Sequence, residues 1–164
     1  MNEKVNWIEK QAAENLKFRL QICETLAKDA NNLLTILIAA IGTVVAYAIK
    51  NAGEGSINSL LIGAIAMAAW LMIVAVVLVL KCIMTSDLFP PGNEPSNLML
   101  ENYTLEQIKN FELENVEKSI IHTKNRNQKT AYWLDKARLA AIASPLIFIF
   151  SFVFHHGIFC ALVE

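Results

Sequence analysis

Three stretches of this chain contain no Asp, Glu, Lys or Arg, and they limit its fold more than any other feature. Ala30–Ile49 is 20 residues long, Gly55–Leu80 is 26, and Leu139–Val163 is 25 with His155 and His156 counted as neutral. A helix needs about 20 mostly apolar residues to cross a bilayer. In lipid every backbone N–H and C=O must be paired within the protein, which leaves helices or closed barrels as the spanning structures. The reading is therefore an all-α integral membrane protein with three transmembrane helices. Leu60–Leu80 is almost wholly Leu, Ile, Val, Ala and Met. The first run opens with Asn31 and Asn32, so its apolar part begins at Leu33. The third contains Pro145, which is tolerated near the end of a membrane helix. Three buried helices of a soluble protein would need a larger polar shell than 164 residues provide.

Composition agrees once it is divided. The chain is 55% hydrophobic and 18% charged, against about 45–50% and about 25% for soluble domains. This excludes a disordered chain. A formal net charge of −1 excludes nucleic-acid binding driven by net charge, and no direct nucleic-acid binding is expected. Cys23, Cys82 and Cys160 have neither the spacing of a zinc site nor the even count of a disulfide framework, and read as small buried apolar residues.

The first 29 residues alternate charged and apolar character, with no apolar core or cleavage site of a signal peptide. The N-terminus is expected in the cytosol. Lys17, Arg19 and Lys28 precede the first run, Lys81 follows the second, and Lys124, Arg126, Lys129, Lys136 and Arg138 precede the third. The positive-inside rule then puts the N-terminus in and the C-terminus out, as a multi-pass protein of a bacterial inner membrane. The expected organisation is a cytosolic amphipathic helix at 1–29, spans at 30–50, 58–82 and 139–162, a short outer loop at 51–57, a proline-rich cytosolic turn at 83–102 and a cytosolic helix at 103–138.

Val5, Ile8, Ala12, Leu16, Leu20, Cys23, Ala27, Ala30 and Leu34 recur at a mean spacing near the 3.6 residues of an α-helix turn. No Pro or Gly interrupts them, so one helix is expected from about Asn2 to Lys50. Its charges balance, which favours a packed cytosolic bundle over a helix lying on the membrane surface. Pro90-Pro91-Gly92 and Pro95 forbid a helix in the turn that follows the second span. Thr104 and Gln107 form a capping box for the next helix, which is expected to run through Leu105, Ile108, Val116, Ile120, Leu134 and Ala137 into the third span. Two of the spanning helices thus continue into a cytosolic helical bundle.

Charge in that last helix region is polarised, with a net of −5 over 94–117 and +5 over 118–138. Acids suit a helix N-terminus and bases suit the inner membrane surface. The stretch Thr123-Lys-Asn-Arg-Asn-Gln-Lys-Thr130 has no apolar member. It is expected to be either fully solvated or turned toward a wet cavity that binds an anion through Lys124, Arg126 and Lys129, with Asn125 and Asn127 offering hydrogen bonds. Asn93, Glu94 and Asn97 in the turn are the other candidates for sensing a signal. Thr35, Gly42 and Thr43 mark a face of the first span suited to lining a pore or to close helix packing.

Catalytic signatures are absent: there is no phosphate-binding glycine loop, no dinucleotide turn and no nucleophile elbow. His122 and Arg126 stand in the reverse of the order used by HEPN-type ribonucleases. His155 and His156 point about 100° apart on a helix and read as an interfacial pair. No metal, cofactor or enzymatic activity is expected. The spans hold no acid or base, which argues against an ion-coupled transporter.

The architecture resembles a group of small bacterial membrane effectors of anti-phage defence systems, which couple a few membrane helices to a compact cytosolic helical part. The segment Pro90-Pro91-Gly92-Asn93-Glu94-Pro95-Ser96-Asn97-Leu98, with Leu33–Lys50 and Lys136–Pro145, is similar to segments of uncharacterised bacterial three-helix membrane proteins. Neither resemblance transfers a catalytic or ligand residue. The first implies an oligomeric inner-membrane effector that permeabilises or depolarises the membrane on a cytosolic signal. Three spans of one chain cannot enclose an aqueous channel, so a pore requires several copies. The expected partners are membrane lipid, further copies of the chain, and a cytosolic protein or an anionic small molecule. The alternative is an anchor or scaffold, without a pore, that holds a soluble partner at the membrane.

Overall fold

A computed structural model describes residues 2–52, 59–84 and 102–163. The described residues are almost all helical, with no strand among them. Helix α1 is Asn2–Ala52, α2 is Ser59–Leu78 followed by a π-turn at Val79–Ile83, α3 is Leu105–Ile142 and α4 is Ser144–Val163. The proline-rich turn falls on 85–101, outside the described residues.

The chain divides into two compact units. One comprises Met1–Ala27 and Thr85–Ala131; the other comprises Lys28–Met84 and Tyr132–Glu164. Helices α1 and α3 therefore each contribute to both.

In the first unit, α3 begins with the expected cap. The Thr104 backbone N–H donates to Gln107 Oε1 (2.9 Å), and the Gln107 N–H donates to Thr104 Oγ1 (3.3 Å). Two donors that a helix N-terminus leaves unpaired are thereby satisfied. Lys109 Nζ reaches α1 and contacts both Asn6 Oδ1 and Glu9 Oε2 at 3.1 Å. Leu16, a member of the expected α1 stripe, is buried, while Ala27 of that stripe is exposed.

The second unit holds the apolar runs. Leu61, Ala64, Ala68, Leu71, Ala75, Leu78 and Cys82 are buried on α2 and its π-turn at alternating steps of three and four residues, with Gly63 and Val74 buried beside them. That is the seven-residue repeat of packed helices. Small residues on this face let α4 approach α2 closely. Gly63 is the tightest point, since a Cβ there would lie 3.0 Å from the Phe148 ring and 3.2 Å from the Phe148 carbonyl oxygen. Gly42 of α1, by contrast, has open space where a Cβ would stand.

The third run is not one straight helix. Leu139–Ile142 is the last turn of α3, and α4 starts at Ser144 after a bend of 41°. Pro145 is the cause: it has no N–H for the Ala141 carbonyl and its ring crowds that carbonyl. Ser144 Oγ donates to the Ala141 oxygen instead (2.7 Å). The indole N–H of Trp70, from α2, donates to the Ala140 oxygen (2.9 Å), and the Leu146 N–H turns back to Ala143 O (3.0 Å). The kink is thus closed by hydroxyl, indole and backbone donors. Two helices, α1 and the continuous Ser59–Ile83, are long and apolar enough to cross a membrane alone, and the bent pair of α3 and α4 makes a third only when taken as one span.

The ends of this unit are polar. At one end Arg138 Nη2 meets Asp29 Oδ2 (2.9 Å), and Lys81 in the π-turn lies over the Trp133 ring (5.7 Å). At the other, Ser59 Oγ and His155 Nδ1 share a hydrogen bond of 3.0 Å.

Two substitutions test this packing. Gly63→Ala is expected to destabilise by about 1–3 kcal/mol through overpacking, while Gly42→Ala is expected to be neutral or slightly stabilising; thermal melting in detergent measures both. Trp70→Phe keeps an aromatic side chain, smaller than the indole, and removes the donor to Ala140; a loss of about 1–3 kcal/mol is expected in the same assay.

Candidate functional site

The stretch without apolar residues does not lie fully in solvent. Thr123 is 2% exposed and Asn127 is 7% exposed. They occupy the inward positions that Val116, Ile120 and Leu134 occupy elsewhere on α3, at helical spacing. The helix keeps its packed face here by burying polar side chains rather than by presenting apolar ones.

Asn127 is held by its partner on α1. Its Nδ2 donates to the Arg19 backbone oxygen at 2.8 Å. Because a carbonyl only accepts, this bond sets the orientation of the amide. The Asn127 Oδ1 acceptor is then buried and unpartnered. Two buried donors are also unpartnered: Arg19 Nε and Arg126 Nη1. Both arginines are half-buried. Arg19 interrupts the apolar side of α1, one position before Leu20.

Charge around the cluster is of one sign on α3. Between Lys118 and Ala131 that helix carries Lys118, Lys124, Arg126 and Lys129 and no acid. Among the described residues only Lys118 is engaged, with Glu114 Oε1 at 2.7 Å; this hydrogen bond and the ammonium charge hold the Glu114 carboxyl below its usual range. Lys124 and Lys129 are exposed.

The expected residues therefore separate. Arg126 is half-buried with its Nη1 unpartnered, while Lys124 and Lys129 are exposed on the same helix. Asn93, Glu94 and Asn97 lie outside the described residues. Thr35, Gly42 and Thr43 are exposed on α1, where the two threonine hydroxyls donate to the carbonyls of Asn31 and Ala39 at 3.0 Å. Sequence reasoning missed Arg19. The signal was a guanidinium set beside an otherwise apolar helical stripe, but counting charges on α1 hid it among five balanced pairs.

His155 is half-buried against Ser59, and His156 stacks on Phe152 with centroids 6.0 Å apart. Among the described residues no three of His, Cys, Asp and Glu come together to hold a metal ion. No known protein family, curated protein or solved structure matches the chain.

Asn127→Leu tests whether the buried amide is held at the expense of stability. The side chains are similar in size, and the change removes an unpartnered acceptor from a packed face. Stability is expected to rise by about 1 kcal/mol in thermal melts, and a clear loss would show that the bond to Arg19 outweighs the orphaned oxygen.

Proposed function

We propose that the chain is an oligomeric effector of a bacterial inner membrane that permeabilises or depolarises it on a cytosolic signal, in defence against phage. One observation carries the reading. The helices of the Lys28–Met84 and Tyr132–Glu164 unit keep large apolar side chains facing outward, among them Ile36, Ile49, Ile73, Met72, Leu146 and Phe150, while ionic contacts gather at an end. A surface of this kind in water would be far larger than the apolar patches of soluble monomers; lipid or further copies of the chain satisfy it.

The polar ends have the spacing of a bilayer. Asp29 to Lys50 along α1 is roughly 30 Å at the helical rise per residue, which matches the hydrocarbon thickness. Tyr132, Trp133, Lys81 and Lys136 cluster at the Asp29 end through ring and cation–π contacts of 5.5–5.7 Å. Aromatic and basic residues favour the headgroup level. The basic bias supports a topology with this end and the N-terminus in the cytosol and the C-terminus outside.

Several copies are part of the proposal, since three helices leave no room for water among them. An open apolar groove of about 400 Å³, bordered by Ile38 and Ile41 of α1 and by Met72, Val76 and Val79, offers a face for a neighbouring helix or an acyl chain. Thr35, Gly42 and Thr43, exposed on α1, supply the weakly polar face that a pore assembled from copies would need. The unit of Met1–Ala27 and Thr85–Ala131, through Lys124, Arg126 and Lys129, is the sensing part.

The anchor reading draws on a different observation. Trp7, Phe18 and Phe111 in that unit are more than half exposed, which suits a soluble protein partner.

Expression in bacteria with a potential-sensitive dye separates the two. Loss of potential and growth arrest are expected for the effector, together with a multimeric mass in detergent. A healthy membrane with a soluble protein co-purifying would replace this reading with the anchor. Alanine at Lys124, Arg126 and Lys129 together is expected to abolish depolarisation, and full activity of the triple variant would remove the sensing role.

A further inference from the structure

The open groove between α1 and α2 ends beside two lysines that no carboxylate answers. We infer that it binds one anionic phospholipid, with an acyl chain along the groove and the phosphate at Lys81 and Lys136. The inference rests on the membrane reading of this unit and is independent of any pore.

The depth of the groove selects a chain rather than a helix. Ile38 and Ile41 of α1 face Met72, Val76, Val79 and Leu80 across about 400 Å³, and every residue lining it is apolar. Met72 to Leu80 covers about 12 Å at the helical rise per residue, and Ile38 and Ile41 stand about 14 and 18 Å along α1 from Asp29. One leaflet supplies about 15 Å of the hydrocarbon core, half of the whole. The groove therefore runs from the Lys81 end to the level of the bilayer midplane and stops. A helix of a second copy would cross the whole core and rest against about 30 Å of surface. A single acyl chain needs the shorter length, and its burial asks for no directional partner. Met72, unbranched and flexible, adapts to such an occupant.

The polar end selects the headgroup. Val79–Ile83 is a π-turn, closed by the Met84 N–H donating to Val79 O at 2.9 Å. Its wider winding turns successive side chains by less than the about 100° of an α-helix, so Lys81 diverges less from its groove-lining neighbour Leu80. Lys81 Nζ lies over the Trp133 ring (5.7 Å) and Lys136 Nζ over the Tyr132 ring (5.5 Å), and the two rings meet edge to face at 5.7 Å. Ring faces hold ammonium groups and leave N–H donors for a phosphate. The acids of this end are engaged elsewhere, since Asp29 and Asp135 both contact Arg138 (2.9 and 3.3 Å). Among the described residues no carboxylate pairs with Lys81 or Lys136. With Lys28 this end has four bases against two acids. A zwitterionic headgroup brings its own cation to that surplus, whereas an anionic one does not. The Lys81 stem can follow the apolar surface while its ammonium stays at the phosphate level.

Native mass spectrometry of the full chain, purified and delipidated in detergent, reads lipid retention and the number of copies together. The probes are dioleoyl phosphatidylglycerol and dioleoyl phosphatidylcholine, which share their acyl chains. One phosphatidylglycerol per chain is expected, preferred over phosphatidylcholine by about tenfold or more, and Lys81→Gln is expected to cut that preference about fivefold. Val76 is exposed on the groove; Val76→Trp fills it with an indole, and retention of both lipids is expected to fall about tenfold, the equivalent of two displaced methylenes. Ile73→Trp adds the same indole at an exposed position that does not line the groove and leaves retention unchanged. Far-UV circular dichroism checks folding, and Ile38→Trp replaces Val76→Trp should that variant not fold. Equal retention of the two lipids by the wild type, or unchanged retention in the folded groove variant, overturns the site. A groove variant that loses copies while keeping its lipid assigns the groove to a second copy and overturns it equally. Carbonate extraction of expressing cells tests the membrane reading by itself: release of the chain ends that reading and this inference with it, whereas a chain that resists extraction yet shows no preference for phosphatidylglycerol fails the lipid site alone.

Discussion

Pro145 cannot offer an N–H to the Ala141 carbonyl, and in apolar surroundings an unpaired carbonyl is unfavourable by several kcal/mol. The arrangement of the apolar unit follows from how that carbonyl and its neighbour are satisfied. Ser144 closes the first from within the chain turn. Trp70 closes the second from α2, and in doing so ties α2 to the bend at one height. The 41° change of direction then carries α4 along α2, where Gly63 admits Phe148 at a distance that any side chain would obstruct. The helix-breaking residue is accommodated because the Ser144 hydroxyl of its own turn replaces the lost backbone bond, while the Trp70 indole of α2 pairs the neighbouring Ala140 carbonyl.

The other unit raises the opposite problem, polar atoms at positions where packing favours apolar ones. Thr123 and Asn127 are buried at helical spacing on α3, and Arg19 stands next to them on α1. A buried polar group in a helix pair can set register and partner choice, at some loss of stability. The bond between Asn127 and the Arg19 carbonyl performs that alignment. Two guanidinium donors, Arg19 Nε and Arg126 Nη1, are left over by that alignment.

Much of this was legible beforehand, and the exceptions have physical causes. The cap at Thr104 was readable because its two partners are three residues apart. The long helix α1 was readable because neither Pro nor Gly breaks it; the Ala27 member of its stripe is nevertheless exposed, since a period of 3.6 drifts relative to the repeat along which the helices pack. The third run could be recognised as apolar but not as bent, because Pro145 near a helix end is compatible with either a start or a kink. In the candidate site, Arg126 was singled out from the absence of apolar residues around it. Arg19 was not, because its role depends on a contact with a residue 108 positions away.

What the sequence determined by itself is local: which segments are helical, where apolar runs begin and end, and on which stretches the charges fall. These follow from backbone geometry and from the hydration of side chains, and both act within a few residues. The tertiary structure decided which way α2 faces. Every side of that helix is apolar, so no periodicity singles one out, and only the close approach of α4 at Gly63 and the reach of Trp70 to Ala140 select it. It decided likewise that Asn127 is buried and Lys124 is not, although both are polar residues of one unbroken polar stretch. Burial of a polar group depends on who stands opposite, and for Asn127 that is the backbone of Arg19.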